Sequence, residues 1–377
     1  MGGGRIAALD VLRGVAILGT LGMNAWVFTH PGGPAGFMAD PGSTGDALLR
    51  VLSNGKFLGL LSIMFGIGLA IQHRSAVRRG RRWPGWYLWR SALLLLEGLL
   101  HYVLIFEFDV LVFYALVSVP VAFLVGRSRR VQLGWAVGAG VLHLSFVGLL
   151  TLGLLAGRAR LSDPTFVPGT DTWPGQVRDR LEFFWAFRAE GVFVLPLGTV
   201  LFLAGALLFG AGALEGSARG RLLRRRLTAW GLGLGVPLNL ATTLAGPAWF
   251  AVDRYVSAPL VAFGLLGGIA ALVERMRAEP GWLRRGVTAV GRSALSCYIA
   301  QNVLASVLCY QWGLGLARRW GHLGAWFTAG TWLVVSAVLL LGASWWMRRF
   351  DRGPVEALWE RLYRAPQRLL SPREVFR

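Results

Sequence analysis

The sequence predicts an all-α, polytopic integral membrane protein with about ten transmembrane helices and cytoplasmic N- and C-termini. Three observations carry that prediction. Of 377 residues, 55% are hydrophobic and only 15% charged, and mean hydropathy is +0.54, so too little charge is present to coat a soluble globule of this size. Apolar runs of spanning length recur along the whole chain. Arginine clusters fall at alternate connections between those runs, as the positive-inside rule requires. The formal net charge of +20 would point to nucleic acid in a soluble chain. Here it reports topology, and the expected partner is the lipid bilayer, with no nucleic acid.

The first run, 7–29, is an apolar helix that carries charge. Asp10 and Arg13 lie three residues apart, share one side of the helix, and can neutralise one another about a turn inside the bilayer. The plainer alternative is an anchor, with Arg13 snorkelling to the interface and Asp10 among headgroups. Asn24 places a second polar group near the far end. The run is too long and too charged for a cleaved signal and ends without a small-x-small site, so it is expected to remain as the first span.

The remaining runs cover 57–73, 88–106, 110–126, 131–156, 191–213, 227–246, 255–274, 293–311 and 325–347. The connection 30–56 is rich in Pro and Gly with little positive charge, whereas 74–90 holds Arg74, Arg78, Arg79, Arg81, Arg82 and Arg90. Arg127, Arg129 and Arg130, then Arg219 to Arg226, then Arg284, Arg285 and Arg292 fall on that same, cytoplasmic side. The long connection 157–190 balances five Arg against five Asp or Glu, which suits the outer side, and Trp173 and Trp185 would form a partial cover there. The membrane domain, 1–348, gives way to a basic cytoplasmic tail, 349–377. In it Val355, Leu358, Trp359, Leu362 and Tyr363 recur at helical spacing, predicting an amphipathic helix on the inner surface. Gly231, Gly233, Gly235 and the group from Gly264 to Gly268 predict close helix packing. Cys297 and Cys309 would stand about 18 Å apart on one helix, too far for a disulfide.

Candidate chemistry gathers in the third span. Glu97 and His101 are four residues apart on one helix face, and an intramembrane carboxylate needs such a partner. Asp109 then turns back toward His101 from a tight outer loop. That carboxylate could hold one imidazole nitrogen and leave the other as a general base. The structural alternative makes His101 an interhelical hydrogen-bond donor and Asp109 a loop cap. His30, at the outer end of the first span, is expected to face the same cavity with Asn24. Gln301 and Asn302 in the ninth span either line a polar path or tie helices together. His143 reads as structural. No metal-ligand spacing, nucleophile turn or phosphate loop is present, so acid–base and electrostatic chemistry is expected, with no metal and no tightly bound cofactor.

The run Arg5-Ile6-Ala7-Ala8-Leu9-Asp10-Val11-Leu12-Arg13-Gly14, ending in Asn24, resembles the opening of the YeiB-like bacterial membrane proteins. Lys56-Phe57 with Ser62-Ile63-Met64-Phe65-Gly66, Gly98-Leu99-Leu100-His101, and Asp109-Val110-Leu111 with Tyr114 match the family's next signatures in order. Gly291 to Tyr298, Gln301, and Gly353-Pro354-Val355-Glu356 resemble its C-terminal half. Glu97 departs from the pattern, where an uncharged residue is expected. The Leu-Asp-x-x-Arg-Gly opening is similar to that of two transmembrane acyltransferase groups, the sugar O-acyltransferases and the heparan-glucosaminide N-acetyltransferase type. The latter has Asn at the position of Asn24 and an active His in the following outer segment, which by rough position points to His30.

The resemblance implies a bacterial inner-membrane acyltransferase scaffold moving an acyl group from a cytoplasmic thioester, with acyl-CoA as co-substrate, to a small-molecule, sugar or lipid acceptor. That is fold-level analogy. In it the predicted base is His101, oriented by Asp109 and coupled to Glu97, with Asn24 and His30 nearby. Asp10, Arg13, Gln301 and Asn302 are the candidate substrate contacts, and Arg78, Arg79, Arg81 and Arg82 the candidate phosphate contacts, although topology alone also demands those arginines. Two other classes compete: an exporter of a small amphipathic compound using Asp10, Arg13, Glu97 and His101 as a path, and a membrane enzyme on isoprenoids that starts by protonation. Homo-oligomerisation is left open.

Overall fold

The computed structural model describes residues 7–39, 42–160, 169, 171–276 and 281–370. Arg5 and Ile6 of the opening motif, most of 161–170 and the last seven residues lie outside the described residues. Among the described residues the chain is all helical, with no strand. We number the principal helices α1 (Ala7–Thr29), α2 (Lys56–Arg78), α3 (Trp86–Leu104), α4 (Leu111–Val125), α5 (Arg129–Leu155), α6 (Gly191–Gly210), α7 (Ala218–Gly233), α8 (Gly235–Leu244), α9 (Ala258–Arg275), α10 (Trp282–Arg292), α11 (Ala294–Cys309), α12 (Ala325–Trp346) and α13 (Pro354–Leu370).

Among the described residues, six helical segments are long and apolar enough to cross a membrane: Ala8–Thr29, Lys56–Arg78, Arg129–Leu155, Phe184–Gly210, Pro247–Arg275 and Ala325–Trp346. Leu111–Val125 and Ala294–Cys309 are shorter apolar helices. The protein is a helical membrane protein. α5 marks the periphery, with Trp135, Val137, Leu149 and Leu152 exposed on its outer face, as lipid contact allows.

α1 is the axis. It packs against α2, α9, α10, α11 and α12, and Leu12, Ala16 and Leu21 on it are fully buried. Two crossings depend on missing side chains. A Cβ at Gly291 of α10 would lie 1.8 Å from the Asp10 carbonyl oxygen of α1, and one at Gly14 would lie 2.0 Å from the Val287 carbonyl oxygen. α2 and α6 cross the same way, through Gly66 against the Phe202 carbonyl and Gly205 against the Ile63 carbonyl. Small residues let membrane helices approach to backbone contact.

Two sequence expectations are corrected. The run 227–246 is not one helix; it breaks at Leu234 into α7 and α8, because Pro237 lacks the N–H that would bond the Gly233 carbonyl and its ring crowds that turn. The connection before α11 contains α10, packed on α1 and α12. The tail helix α13 does more than lie on a surface. It docks on α3 and α11, with Arg90 stacked 4.6 Å from the Trp359 ring, while Leu358 and Leu362 stay exposed.

The arginine clusters gather at one end of the bundle. Arg74, Arg129 and Arg219 line one cavity there, and Arg79, Arg81, Arg82, Arg90 and Arg364 line another, both beside the C-terminal end of α2.

Candidate active site

His101 sits in the last turn of α3, Asp109 just ahead of α4, Tyr298 and Asn302 one turn apart on α11, and Asn24 on α1. Their side chains form one chain of hydrogen bonds. His101 Nδ1 lies 2.9 Å from Asp109 Oδ1, and the Tyr298 hydroxyl donates to the same oxygen at 3.3 Å. Asp109 Oδ2 accepts the Val112 backbone N–H at 3.2 Å, so the carboxylate also starts α4. Asn302 Nδ2 donates to the Tyr298 carbonyl at 3.2 Å, and its Oδ1 accepts from Asn24 Nδ2 at 3.0 Å. Those two bonds fix the amide, so its second N–H points at His101 Nε2, 3.2 Å away. Nε2 is therefore an acceptor, and the proton resides on Nδ1, facing Asp109.

His101 is 2% exposed, and Asp109 and Asn302 are 0% exposed. The loop that carries Asp109 is itself buried, through Phe106, Glu107 and Val110. Two arginines from the long connection hold it. Arg180 pairs with Glu107 at 3.2 Å and donates to the Val103 carbonyl at 3.2 Å and the Ile105 carbonyl at 2.9 Å. Arg188 donates to the Asp109 carbonyl at 2.8 Å and to the Glu107 carbonyl, its guanidinium 4.1 Å from the Tyr102 ring centre. Trp173 donates to the Leu104 carbonyl at 2.8 Å. Trp173 is thus tied to the loop by this bond, and Trp185 is 82% exposed.

A cavity of about 670 Å³ meets this cluster at Tyr298, while His101, Asp109, Asn302 and Asn24 do not line it. Its mouth carries Arg13, Arg90, Arg292, Arg352 and Glu356; its interior is Ile17, Met64, Phe65, Leu94 and Leu111; and Tyr298, with its link to Asp109, forms part of the wall. Gln72, Tyr87, Arg90 and Glu360 are shared with the adjoining arginine-lined cavity of about 600 Å³.

The predicted residues divide accordingly. The structure joins His101, Asp109, Asn302 and Asn24. The second imidazole nitrogen is not free as expected, because Asn302 occupies it. Glu97 is not hydrogen-bonded to His101; both its carboxylate oxygens are buried without a hydrogen-bond partner, since Asp109 and Asn302 take both faces of the ring. His30 is not in this cavity. The chain turns after Thr29, His30 Nδ1 accepts the Gly32 N–H at 3.1 Å, and the ring lines a separate cavity of about 340 Å³ with Trp26 and Arg50. Asp10 and Arg13 are 3.9 Å apart, with Arg13 at the mouth. Gln301 is fully buried and its amide has no hydrogen-bond partner. Arg79, Arg81 and Arg82 line the vestibule, and Arg78 does not. Among the described residues no group of His, Cys, Asp and Glu is placed to hold a metal.

Sequence reasoning missed Tyr298, Arg180 and Arg188. Tyr298 precedes Asn302 by four residues, the helical spacing that would have paired them. Nothing in the balanced charge of 157–190 singles out its two buried arginines.

The family described as Protein of unknown function (DUF418) matches residues 208–365. The Bacillus subtilis (strain 168) protein YxaH, described as uncharacterized, is 26% identical over 387 aligned residues, covering 94% of this chain and 93% of the relative. The Escherichia coli (strain K12) protein YeiB, also described as uncharacterized, is 31% identical over 390 aligned residues, covering 95% of this chain and 96% of the relative. With that identity sustained along nearly its whole length, the chain belongs to the YeiB-like family of DUF418 proteins.

Proposed function

We propose that the protein is a membrane-embedded acyltransferase that moves an acyl group from an acyl-CoA-type thioester to a small-molecule, sugar or lipid acceptor. The observation that carries this reading is the cavity of about 670 Å³ with an arginine-bearing mouth, an apolar interior and Tyr298 in its wall, hydrogen-bonded to the Asp109–His101 pair. Arginines suit the phosphates of the donor, and the apolar interior suits its acyl chain. His101 is the general base. Asp109 holds the Nδ1–H tautomer, and the Asn302 amide occupies the place at Nε2 that an acceptor hydroxyl or amine would take. The acceptor attacks the thioester carbonyl, the carbon–sulfur bond breaks, and the acceptor's proton passes to Nε2 and on to the leaving thiolate. Asn24 supplies an N–H group for the developing oxyanion. The topology that goes with this reading puts the arginine-rich end and both termini in the cytoplasm of a bacterium, with the chain in its inner membrane.

The test is binding of acetyl-CoA and longer acyl-CoAs to purified protein in detergent, compared with His101→Ala. Saturable binding in both, with slow thioester loss in wild type alone, is expected. Absence of binding by folded wild-type protein would refute the reading. A second reading, export of a small amphipathic compound, draws on another cavity of about 480 Å³ at the opposite end of α2; flux into sealed vesicles without thioester loss would favour it.

A further inference from the structure

The cavity of about 480 Å³ is lined by Asn54, Asp253, Thr242 and Thr243 on its polar side and by Met23, Phe37, Pro247 and Phe250 on its apolar side, with Arg50 also in the wall. Asn54 precedes α2, whereas the arginine-lined vestibule takes Ile71 to Arg79 at its other end, so the nearest lining residues along that helix, Asn54 and Ile71, stand about 26 Å apart at 1.5 Å per residue. Asp253 belongs to a π-helical segment, Asp253–Ser257. Such segments recur at functional sites.

Asp253 is buried, and among the described residues no cation touches it directly. Lys56, the only lysine of the chain, is buried and donates to Asn239 Oδ1 and the Val51 carbonyl. Asn239 Nδ2 donates in turn to Asp253 Oδ1. On the other side Arg254, paired with Glu190 at 2.9 Å, donates to Asn54 Oδ1 at 3.3 Å, and Asn54 Nδ2 donates to Asp253 Oδ2. Each cation therefore fixes an asparagine, and each asparagine aims an N–H at the carboxylate. The hydroxyls of Thr242 and Thr243 stand 3.1 and 3.0 Å from Oδ1, which crowds that oxygen. Oδ2 accepts from Asn54 alone among the described residues, leaving acceptor capacity at an oxygen of a cavity-lining residue. A buried carboxylate with its counter-charges held one side chain away is arranged to take a cationic donor from outside. The guanidinium of Arg50 lies 5.5 Å from the Trp26 ring and 5.7 Å from the Phe37 ring in the wall of the same cavity.

We propose that this cavity binds a primary ammonium group, chemistry that a phosphoethanolamine lipid headgroup and a free amino acid share. The ammonium donates to Asp253 Oδ2. This site is distinct from the acyl-transfer site and does not depend on that reading.

Calorimetry on the purified full-length protein with phosphoethanolamine, glycine and serine tests it, with phosphocholine as the control that has no N–H to donate. Nanodiscs of phosphatidylethanolamine and of phosphatidylcholine, compared by thermal shift, supply the lipid arm. Saturable binding of a primary amine is expected, at least tenfold tighter than phosphocholine and weakened at least tenfold by Asp253→Asn. Binding of glycine or serine assigns a soluble ligand, and binding of phosphoethanolamine or stabilisation by its lipid assigns a headgroup. If Asp253→Asn does not fold, Ala47→Trp, which fills the cavity from its wall, is expected to abolish binding. The proposal is overturned if no primary amine binds or stabilises folded wild-type protein in either arm, if phosphocholine binds equally, or if binding survives the substitutions.

Discussion

Asp109→Asn should disorder the whole cluster, because the carboxylate has no orientation in which an amide can replace it. With the amide nitrogen at the Oδ2 position, it faces the Val112 N–H that lies 3.2 Å from Oδ2, a contact between two donors. With the nitrogen at the Oδ1 position, it faces the Nδ1–H of His101 and the Tyr298 hydroxyl. His101 would relieve that clash by moving its proton to Nε2, but Nε2 then meets the Asn302 N–H, and Asn302 cannot turn because the Tyr298 carbonyl and Asn24 hold both ends of its amide. One buried donor is stranded in every arrangement, at about 1–3 kcal/mol, and two bonds lose charge assistance, adding about 1 kcal/mol. The expected loss is about 2–4 kcal/mol by denaturant or thermal unfolding in detergent. His101→Ala, which removes the ring but leaves Asp109 bonded to Tyr298 and Val112, should cost no more than that. If acyl transfer is observed, Asp109→Asn should slow it at least a hundredfold through the wrong tautomer. Asp109→Asn protein with wild-type stability and unchanged turnover would show that this carboxylate does not set the histidine's tautomer.

Gly291→Ala should cost about 3 kcal/mol, since its Cβ would lie 1.8 Å from the Asp10 carbonyl oxygen and α10 must back away from α1; an unchanged melting temperature would contradict that approach. Arg180→Met should lose about 3–5 kcal/mol by stranding buried Glu107. Most of it should return in Arg180→Met/Glu107→Leu, and a double variant as unstable as the single would point to the carbonyl bonds instead. Glu356→Gln weakens the bonds that this carboxylate accepts from the Leu295 N–H at 2.8 Å and the Ser296 hydroxyl at 2.5 Å, where it caps α11. Loss of about 1–2 kcal/mol at that contact should make the stretch between α12 and α13 several-fold more sensitive to trypsin, and an unchanged digestion rate would show that this contact does not hold α13 on α11.

Helix existence was legible because hydropathy over twenty residues is a summed signal. The helix break at Leu234 was not, although Pro237 marks it, because an apolar run reads alike whether or not its backbone is continuous. The His101–Asp109 pair was legible for a local reason: the two residues are eight apart across one tight loop, and no long-range fold is needed to bring them together. Asn302 joins them from 201 residues away, where spacing carries no information. His30 illustrates the converse. Its position after the first span suggested a shared cavity, but the turn after Thr29 carries it to the far side of Phe28, which is fully buried against Phe106 with ring centres 4.9 Å apart. Glu97 shared a helix face with His101 on paper, and the interaction was lost to two partners that satisfy the ring better.

The placement of Asp109 also explains why a balanced, unremarked connection belongs to the site. Non-helical backbone at membrane depth is tolerated only where protein satisfies its polar groups. The chain between α3 and α4 has to leave the helix for Asp109 to face back toward His101, and in doing so it exposes the carbonyls of Val103, Leu104, Ile105, Glu107 and Asp109. Arg180 takes the first and third, Trp173 the second, and Arg188 the last two. Lysine would not serve, because a planar guanidinium reaches two carbonyls in fixed directions while its face packs on Tyr102. The long connection therefore belongs to the candidate site: it satisfies the polar groups of the buried loop, and the loop makes the Asp109–His101 pair.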